Sequence, residues 1–265
     1  MKILFFGDIV GKIGRRAVAE VIAQAREELK PDIVVANGEN MAHGMGITKK
    51  TLAEVWAAGV DIVTSGNHIS DKDECAEILA APDARVIRPA NYPPAVPGKG
   101  VIVVPVGSRT LAVINLLGRV FMYEHPDCPF RTLDAILATP QVAKADAVVV
   151  DIHAEATSEK VALGWYADGR VTAVVGTHTH VPTSDARVLA KGTAYVSDIG
   201  MTGGRDGVIG MDREGPLKGF LTQMNAKFEV IEHGVAQVNA VLIESDPASM
   251  RAIAITRYDR EVQVP

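Results

Sequence analysis

Five times along this chain a short aliphatic run stops at a polar residue able to bind a cation. Lys2–Phe6 runs into Gly7-Asp8, and 32–36 into Asn37-Gly38-Glu39-Asn40. Residues 60–64 run into Ser65-Gly66-Asn67-His68, and 147–150 into Asp151-Ile152-His153. Residues 171–175 run into Gly176-Thr177-His178-Thr179-His180. Short Val/Ile/Leu runs alternating with helical periodicity predict parallel strands buried on both faces. Ligands of such sheets collect at the carboxyl ends of the strands. Alone, Asp8 would be a turn or cap residue and His153 a satisfied buried imidazole. Their shared position at five strand ends makes them one candidate crevice.

The remaining pattern fills in around these runs. A helix is expected over about 14–29, where Ala17, Val18, Val21, Ile22 and Ala25 recur at helical spacing. A second is expected over 48–58, with Thr48 as N-cap and Gly59 as its stop. Ser70 is read as the N-cap of a third; Asp71 either orients His68 or charges that first turn, and the second role is favoured. Residues 100–106 and 110–116 predict a hairpin, and helices follow at about 131–144 and 157–167, the latter capped by Thr157 or Ser158. Strands are expected at 193–197, 228–232, 236–244 and 253–258. Because no helices link these late strands, they predict a second, largely antiparallel sheet packed on the first. The expected fold class is α/β, a two-sheet sandwich flanked by helices, in one domain spanning 1–265.

Composition narrows the function classes. A formal net charge of −5 argues against nonspecific duplex binding, which rests on phosphate neutralisation by Lys and Arg. It leaves room for a small phosphorylated substrate if a metal supplies the local positive charge. No apolar run reaches the roughly 18–20 residues of a membrane span, and Asp8 interrupts the short N-terminal apolar run before a signal peptide could form. Cys75 and Cys128 suggest no disulfide framework. A cytoplasmic protein is expected.

The donors are mixed: carboxylates at Asp8 and Glu39, amides at Asn40 and Asn67, imidazoles at His153, His178 and His180. That mixture suits Fe, Mn or Zn better than Ca or Mg. His68, next to Asn67, suits proton donation to a leaving oxygen. His43 and Arg205, both in Gly-rich loops, are candidates for substrate contact.

These motifs resemble the calcineurin-like metallophosphoesterases. The strings G-D-I-V-G, N-G-E-N, S-G-N-H, D-I-H-A-E-A-T-S-E-K, G-T-H-T-H-V-P-T and D-I-G-M-T-G are similar to the YmdB-type branch, described as 2′,3′-cyclic-nucleotide phosphodiesterases. The resemblance covers nearly the whole chain. Two departures from the broad superfamily stand out: Asp8-Ile9-Val10 replaces Asp-x-His, and Glu39 replaces the usual bridging Asp.

The branch resemblance implies that Asn40 takes the place of the missing histidine. Asp8, Glu39, Asn40 and His180 would then hold one metal, and Glu39, Asn67, His153 and His178 the other, with Glu39 bridging. It implies two di- or trivalent transition-metal ions, iron first, manganese or zinc otherwise. The expected reaction is attack of a metal-bridging hydroxide on a small phosphodiester, with His68 as general acid. The alternatives are a phosphomonoesterase and a regulatory protein that binds metal and nucleotide with little turnover. Expected partners are a phosphodiester or nucleotide substrate and further copies of the chain, with no membrane and no extended nucleic acid.

Overall fold

Ile3 and Phe5 face one side of their strand, Leu4 and Phe6 the other, and all four are fully buried. A strand with no polar face needs cover on both sides, and the computed structural model, which describes residues 1–265, supplies it.

The elements in chain order are β1 (Lys2–Phe6), β2 (Asp8–Ile9), α1 (Gly11–Glu28), β3 (Ile33–Asn37), α2 (Lys49–Ala58), β4 (Ile62–Thr64), a 3-10 turn at Asn67–Ser70 and α3 (Cys75–Ala80). Next come β5 (Val101–Val106), β6 (Arg109–Leu117), α4 (Pro129–Leu137), α5 (Pro140–Ala143), β7 (Ala147–His153), α6 (Thr157–Ala167) and β8 (Ala173–Thr177). The chain ends with β9 (Arg187–Val188), β10 (Ala194–Val196), β11 (Met201–Gly204), α7 (Glu214–Thr222), β12 (Gly234–Val238), β13 (Ala240–Ser245), β14 (Ala252–Arg257) and β15 (Arg260–Val264).

The first sheet has the order β14-β13-β1-β3-β4, with β1, β3 and β4 parallel. The second has the order β5-β6-β7-β8-β10-β9, with β6, β7, β8 and β10 parallel. The two sheets face each other. Ile3, Phe5, Ile33 and Val35 pack against Leu111, Val113, Val149 and Val175 in one fully apolar layer. The alternate residues face outward. Leu4, Phe6 and Val34 meet the Ile13, Ala17, Val21 stripe of α1, while Val148, Val150 and Ile152 meet Leu133 and Leu163 of α4 and α6. The layers are therefore α/β/β/α, as the α/β sandwich reading expects. Truncating Phe5 to Ala, in the middle layer, should cost about 3–5 kcal/mol.

Local signals hold where the chemistry is local. Thr48 caps α2 through a reciprocal hydrogen-bond pair with Thr51, and Gly59 ends it at φ 105°.

Several expectations are corrected. The second sheet is mainly parallel, because β6, β7 and β8 are joined by helical crossovers. Of the late strands, the one expected at 193–197 joins it, as β10 beside β8. β13 and β14 extend the first sheet, and β12 and β15 join β11 and β2 in a small third sheet. The expected strand 236–244 breaks at Asn239, whose carbonyl accepts from Gly7 and whose side-chain oxygen accepts from the Met201 amide. The chain changes sheets there. Residues 228–232 contribute only a bridge from Val230 to Met211. Pro140 splits the helix expected over 131–144 into α4 and α5. Ser70 closes the short turn and caps nothing; α3 starts at Cys75 without a side-chain cap. The α6 cap position is Ala156, so neither Thr157 nor Ser158 caps it.

Candidate metal centre

All five strand ends open onto the same rim of the sandwich. Asp8 lies in β2, Glu39 and Asn40 follow β3, Asn67 and His68 follow β4, His153 ends β7, and His178 and His180 follow β8. Asp8, Glu39, Asn40, His153 and His180 are buried.

One group converges on a single ring nitrogen. Nε2 of His153 lies 3.0 Å from Glu39 Oε1, 3.1 Å from Asn67 Oδ1 and 3.0 Å from His178 Nδ1. Glu39, His153 and His178 offer ligand atoms all within 4.8 Å of one another. Beside it lies a second group: Asp8 Oδ1 is 3.8 Å from His153 Nδ1 and 4.0 Å from His180 Nε2. Asp8 Oδ1 and Asn40 Oδ1 are buried and have no hydrogen-bond partner. Such orphaned oxygens are rare and costly. With neighbouring carboxylate and imidazole donors they fit transition-metal ions.

The backbone is shaped for this arrangement. His178 and His180 both adopt left-handed conformations, with φ of 101° and 65°. A non-glycine residue at such φ is strained, and strain of this kind gathers at functional sites. An extended His-x-His would send both rings the same way; here Nε2 of His178 meets Glu155 while Nε2 of His180 approaches Asp8. Gly66 leaves room for the centre, because a Cβ there would stand 2.2 Å from the His153 ring and 2.4 Å from Glu39.

Electrostatics follow from burial. Burial raises the Asp8 pKa, an effect that the neighbouring His180 and His153 only partly oppose. Burial pushes Glu39 the same way, yet His153 and the His68 backbone N–H hold its carboxylate ionised, well below the usual range. Burial disfavours charge on His153, but Glu39 and Asp8 hold its pKa above the ordinary imidazole value. Burial and the adjacent His153 push His178 down to about 3. A cation at the centre would offset the buried carboxylates Asp8 and Glu39 once His153 binds it as a neutral imidazole.

A layer of polar residues behind the ligands escaped the sequence reading. The Thr177 hydroxyl donates to Asp151 at 2.7 Å and lies 2.9 Å from His153 Nδ1. The Thr64 hydroxyl donates to the other Asp151 oxygen at 2.5 Å. Asn37 donates to Ser65 O at 3.2 Å and accepts from the Glu39 amide at 3.1 Å. The signal was Asp151 itself, a carboxylate on the sandwich-facing side of an otherwise apolar strand. Below the His178–His180 segment, Asp198 accepts from the amide and hydroxyl of half-buried Thr179, and from the buried Lys160 Nζ at 2.7 Å.

His68 lines the cleft over these groups, with Nδ1 held 2.7 Å from Asp71 Oδ2. Asp71 thus grips His68, the less favoured of the two roles that the sequence offers for it. Glu155 meets Nε2 of His178 at 3.2 Å. The structure does not bring His43 or Arg205 into the cleft. His43 is an exposed loop residue, and the Arg205 guanidinium is taken up by Asp206 and Glu261.

Residues 4–258 match the family model described as YmdB-like protein. The chain is 46% identical over 258 residues to the 2′,3′-cyclic-nucleotide 2′-phosphodiesterase of Bacillus subtilis, covering 97% of this chain and 96% of that one. It superposes on a novel phosphatase from Mycoplasma pneumoniae with a TM-score of 0.92 at 34% identity, covering 100% and 95% of the two chains. The calcineurin-like phosphoesterase YfkN of Bacillus subtilis shares the fold at a TM-score of 0.57 and 12% identity, with 98% and 90% covered. The chain has the calcineurin-like phosphoesterase fold and belongs to the YmdB-like protein family.

Proposed function

We propose that this protein is a metal-dependent phosphodiesterase that hydrolyses 2′,3′-cyclic nucleotides. The observation that carries this reading is the pair of buried, unpartnered oxygens on Asp8 and Asn40 beside the Glu39–His153–His178 cluster. The Bacillus subtilis relative is named for the same reaction.

Asp8, Glu39, Asn40 and His180 are assigned to one cation, and Glu39, Asn67, His153 and His178 to the other. When bound, such ions neutralise the phosphate and acidify a water that becomes the nucleophile. Iron is the first choice, manganese or zinc the next. His68 donates a proton to the departing ribose 2′ oxygen, leaving a 3′-phosphomonoester. Its Nδ1 is taken by Asp71, so Nε2 is the ring nitrogen available for that transfer. His43 and Arg205 are given no part in substrate binding.

A cytoplasmic location is supported by the two free cysteines. No helix is long and apolar enough to cross a membrane. Residues 1–265 are taken as one domain. A homo-oligomer is also proposed, with the exposed Val120, Phe121 and Tyr123 as its contact surface. A binding protein without turnover is not favoured beside a relative named as an enzyme.

The test is steady-state turnover of metal-loaded protein on 2′,3′-cyclic nucleotides and a panel of phosphomonoesters. The diesters should be preferred. His68→Ala should lower kcat by about 10²- to 10⁴-fold with unchanged metal content. Preference for monoesters would point to a phosphomonoesterase, and loss of metal with rate in His68→Ala would remove the acid role.

A further inference from the structure

The cleft over the metal ligands has a second wall that phosphate chemistry leaves unused. Its cavity of about 480 Å³ has Glu39, Asn40, His68, His178 and His180 among its lining, and also Phe220 and Phe228. Phe220, on α7, is 81% exposed and Phe228 59%. Met45 and Ile209, on the same wall, are 47% and 49% exposed. Large rings kept in water beside a polar floor are unfavourable for a free protein.

This wall is fastened to the centre. The Ile209 carbonyl lies 3.0 Å from Nδ1 of His180. Met211 exchanges backbone hydrogen bonds with Val208 and bridges to Val230. Val230 and Met211 in turn pack against Gly44 so closely that a Cβ there would stand 2.8 Å from Val230. The segment that carries both rings is therefore tied to His180 at one point and to the loop after Asn40 at another.

Resting on the cyclic-nucleotide reading, we propose that Phe220 and Phe228 form the nucleobase subsite, against which the flat base lies while its cyclic phosphate sits over the metal ligands. The chemistry matches end to end. The floor offers carboxylates, amides and imidazoles to the phosphate through cations. The wall offers two aromatic rings and aliphatic side chains, and no Lys or Arg lines the cavity. A second consequence concerns selectivity. The wall side chains around the two Phe are Met45, Val208, Ile209, Met211 and Pro216, none with an amide or hydroxyl to read a base edge; the polar lining residues Thr179 and Glu155 are engaged by Asp198 and His178. Stacking is tolerant of base identity because every base has a π-face. The subsite holds all four bases with little discrimination.

The experiment compares metal-loaded wild type, Phe220→Ala and Phe228→Ala on the four 2′,3′-cyclic nucleotides and on base-free methyl ribofuranoside 2,3-cyclic phosphate. Wild-type KM values for the four nucleotides should agree within about tenfold. Each variant should raise KM for every nucleotide by about 5- to 100-fold, with kcat nearly unchanged and the base-free KM unmoved. Phe220→Trp should restore the nucleotide KM. Equal effects on both substrate types, or none on either, would overturn the subsite. So would a fall in solution mass of Phe220→Ala with equal loss on both substrates, which would assign the wall to a second copy of the chain. Wild-type turnover of the base-free diester without nucleotide preference would sink the subsite alone. Failure to turn over either diester would sink the phosphodiesterase reading beneath it.

Discussion

Asp71 Oδ2 sits 2.7 Å from Nδ1 of His68, three residues apart on the turn that follows the edge strand of the first sheet. Each side chain is about one-third exposed, 32% and 34%. An ion pair that exposed contributes only about 0–1 kcal/mol to stability. Its consequence is orientation: the bond fixes which ring nitrogen faces the cleft.

Asp71→Ala should therefore lower kcat by about 10- to 100-fold, with metal content and Tm close to wild type. Kinetics and metal analysis on the same preparation check this. A fall in bound metal equal to the fall in rate would contradict it.

Thr177 acts on the other side of the centre. Its hydroxyl donates to Asp151 and faces His153 Nδ1, which leaves Nε2 of His153 turned toward Glu39, Asn67 and His178. Thr177→Val keeps the volume and removes the hydroxyl. Metal affinity should weaken by about 10- to 100-fold, measured by competition with a chromophoric chelator. Unchanged affinity would mean that the Asp151 network is dispensable for ligand orientation.

Lys160 and Asp198 form a buried pair at 2.7 Å, each side chain 2% exposed. Asp198 also holds Thr179, the residue between His178 and His180. Removing one partner leaves a buried charge uncompensated. Lys160→Met should destabilise the metal-free protein by about 3–5 kcal/mol, read from urea unfolding. A loss below about 1 kcal/mol would place the pair among interactions with no net worth.

The strand ends were legible because the chemistry there is local: aliphatic run, small turn, polar stop. Asp8, Glu39, Asn40, Asn67, His153, His178 and His180 all reach one rim because parallel strands share one carboxyl end. What lay outside the sequence was pairing. Whether β13 joins β1 or another late strand depends on contacts hundreds of residues apart, as in the Lys2–Glu244 register. Periodicity carries no record of that, so the strands read over 236–244 and 253–258 fall in other sheets than expected. Arg205 failed for a related reason: a Gly-rich loop suggests approach to phosphate, but Glu261, far along the chain, takes its guanidinium. Asp151 was visible in the string D-I-H, yet its hydroxyl partners Thr64 and Thr177 come from two other strands.

Metal stoichiometry tests the central claim most directly. Protein purified without chelator and analysed by inductively coupled plasma mass spectrometry should carry about two transition-metal ions per chain, and Glu39→Gln, which removes the shared carboxylate, should carry fewer than one. Wild-type protein with near-zero transition metal, after purification and after incubation with iron, manganese or zinc, would contradict the account.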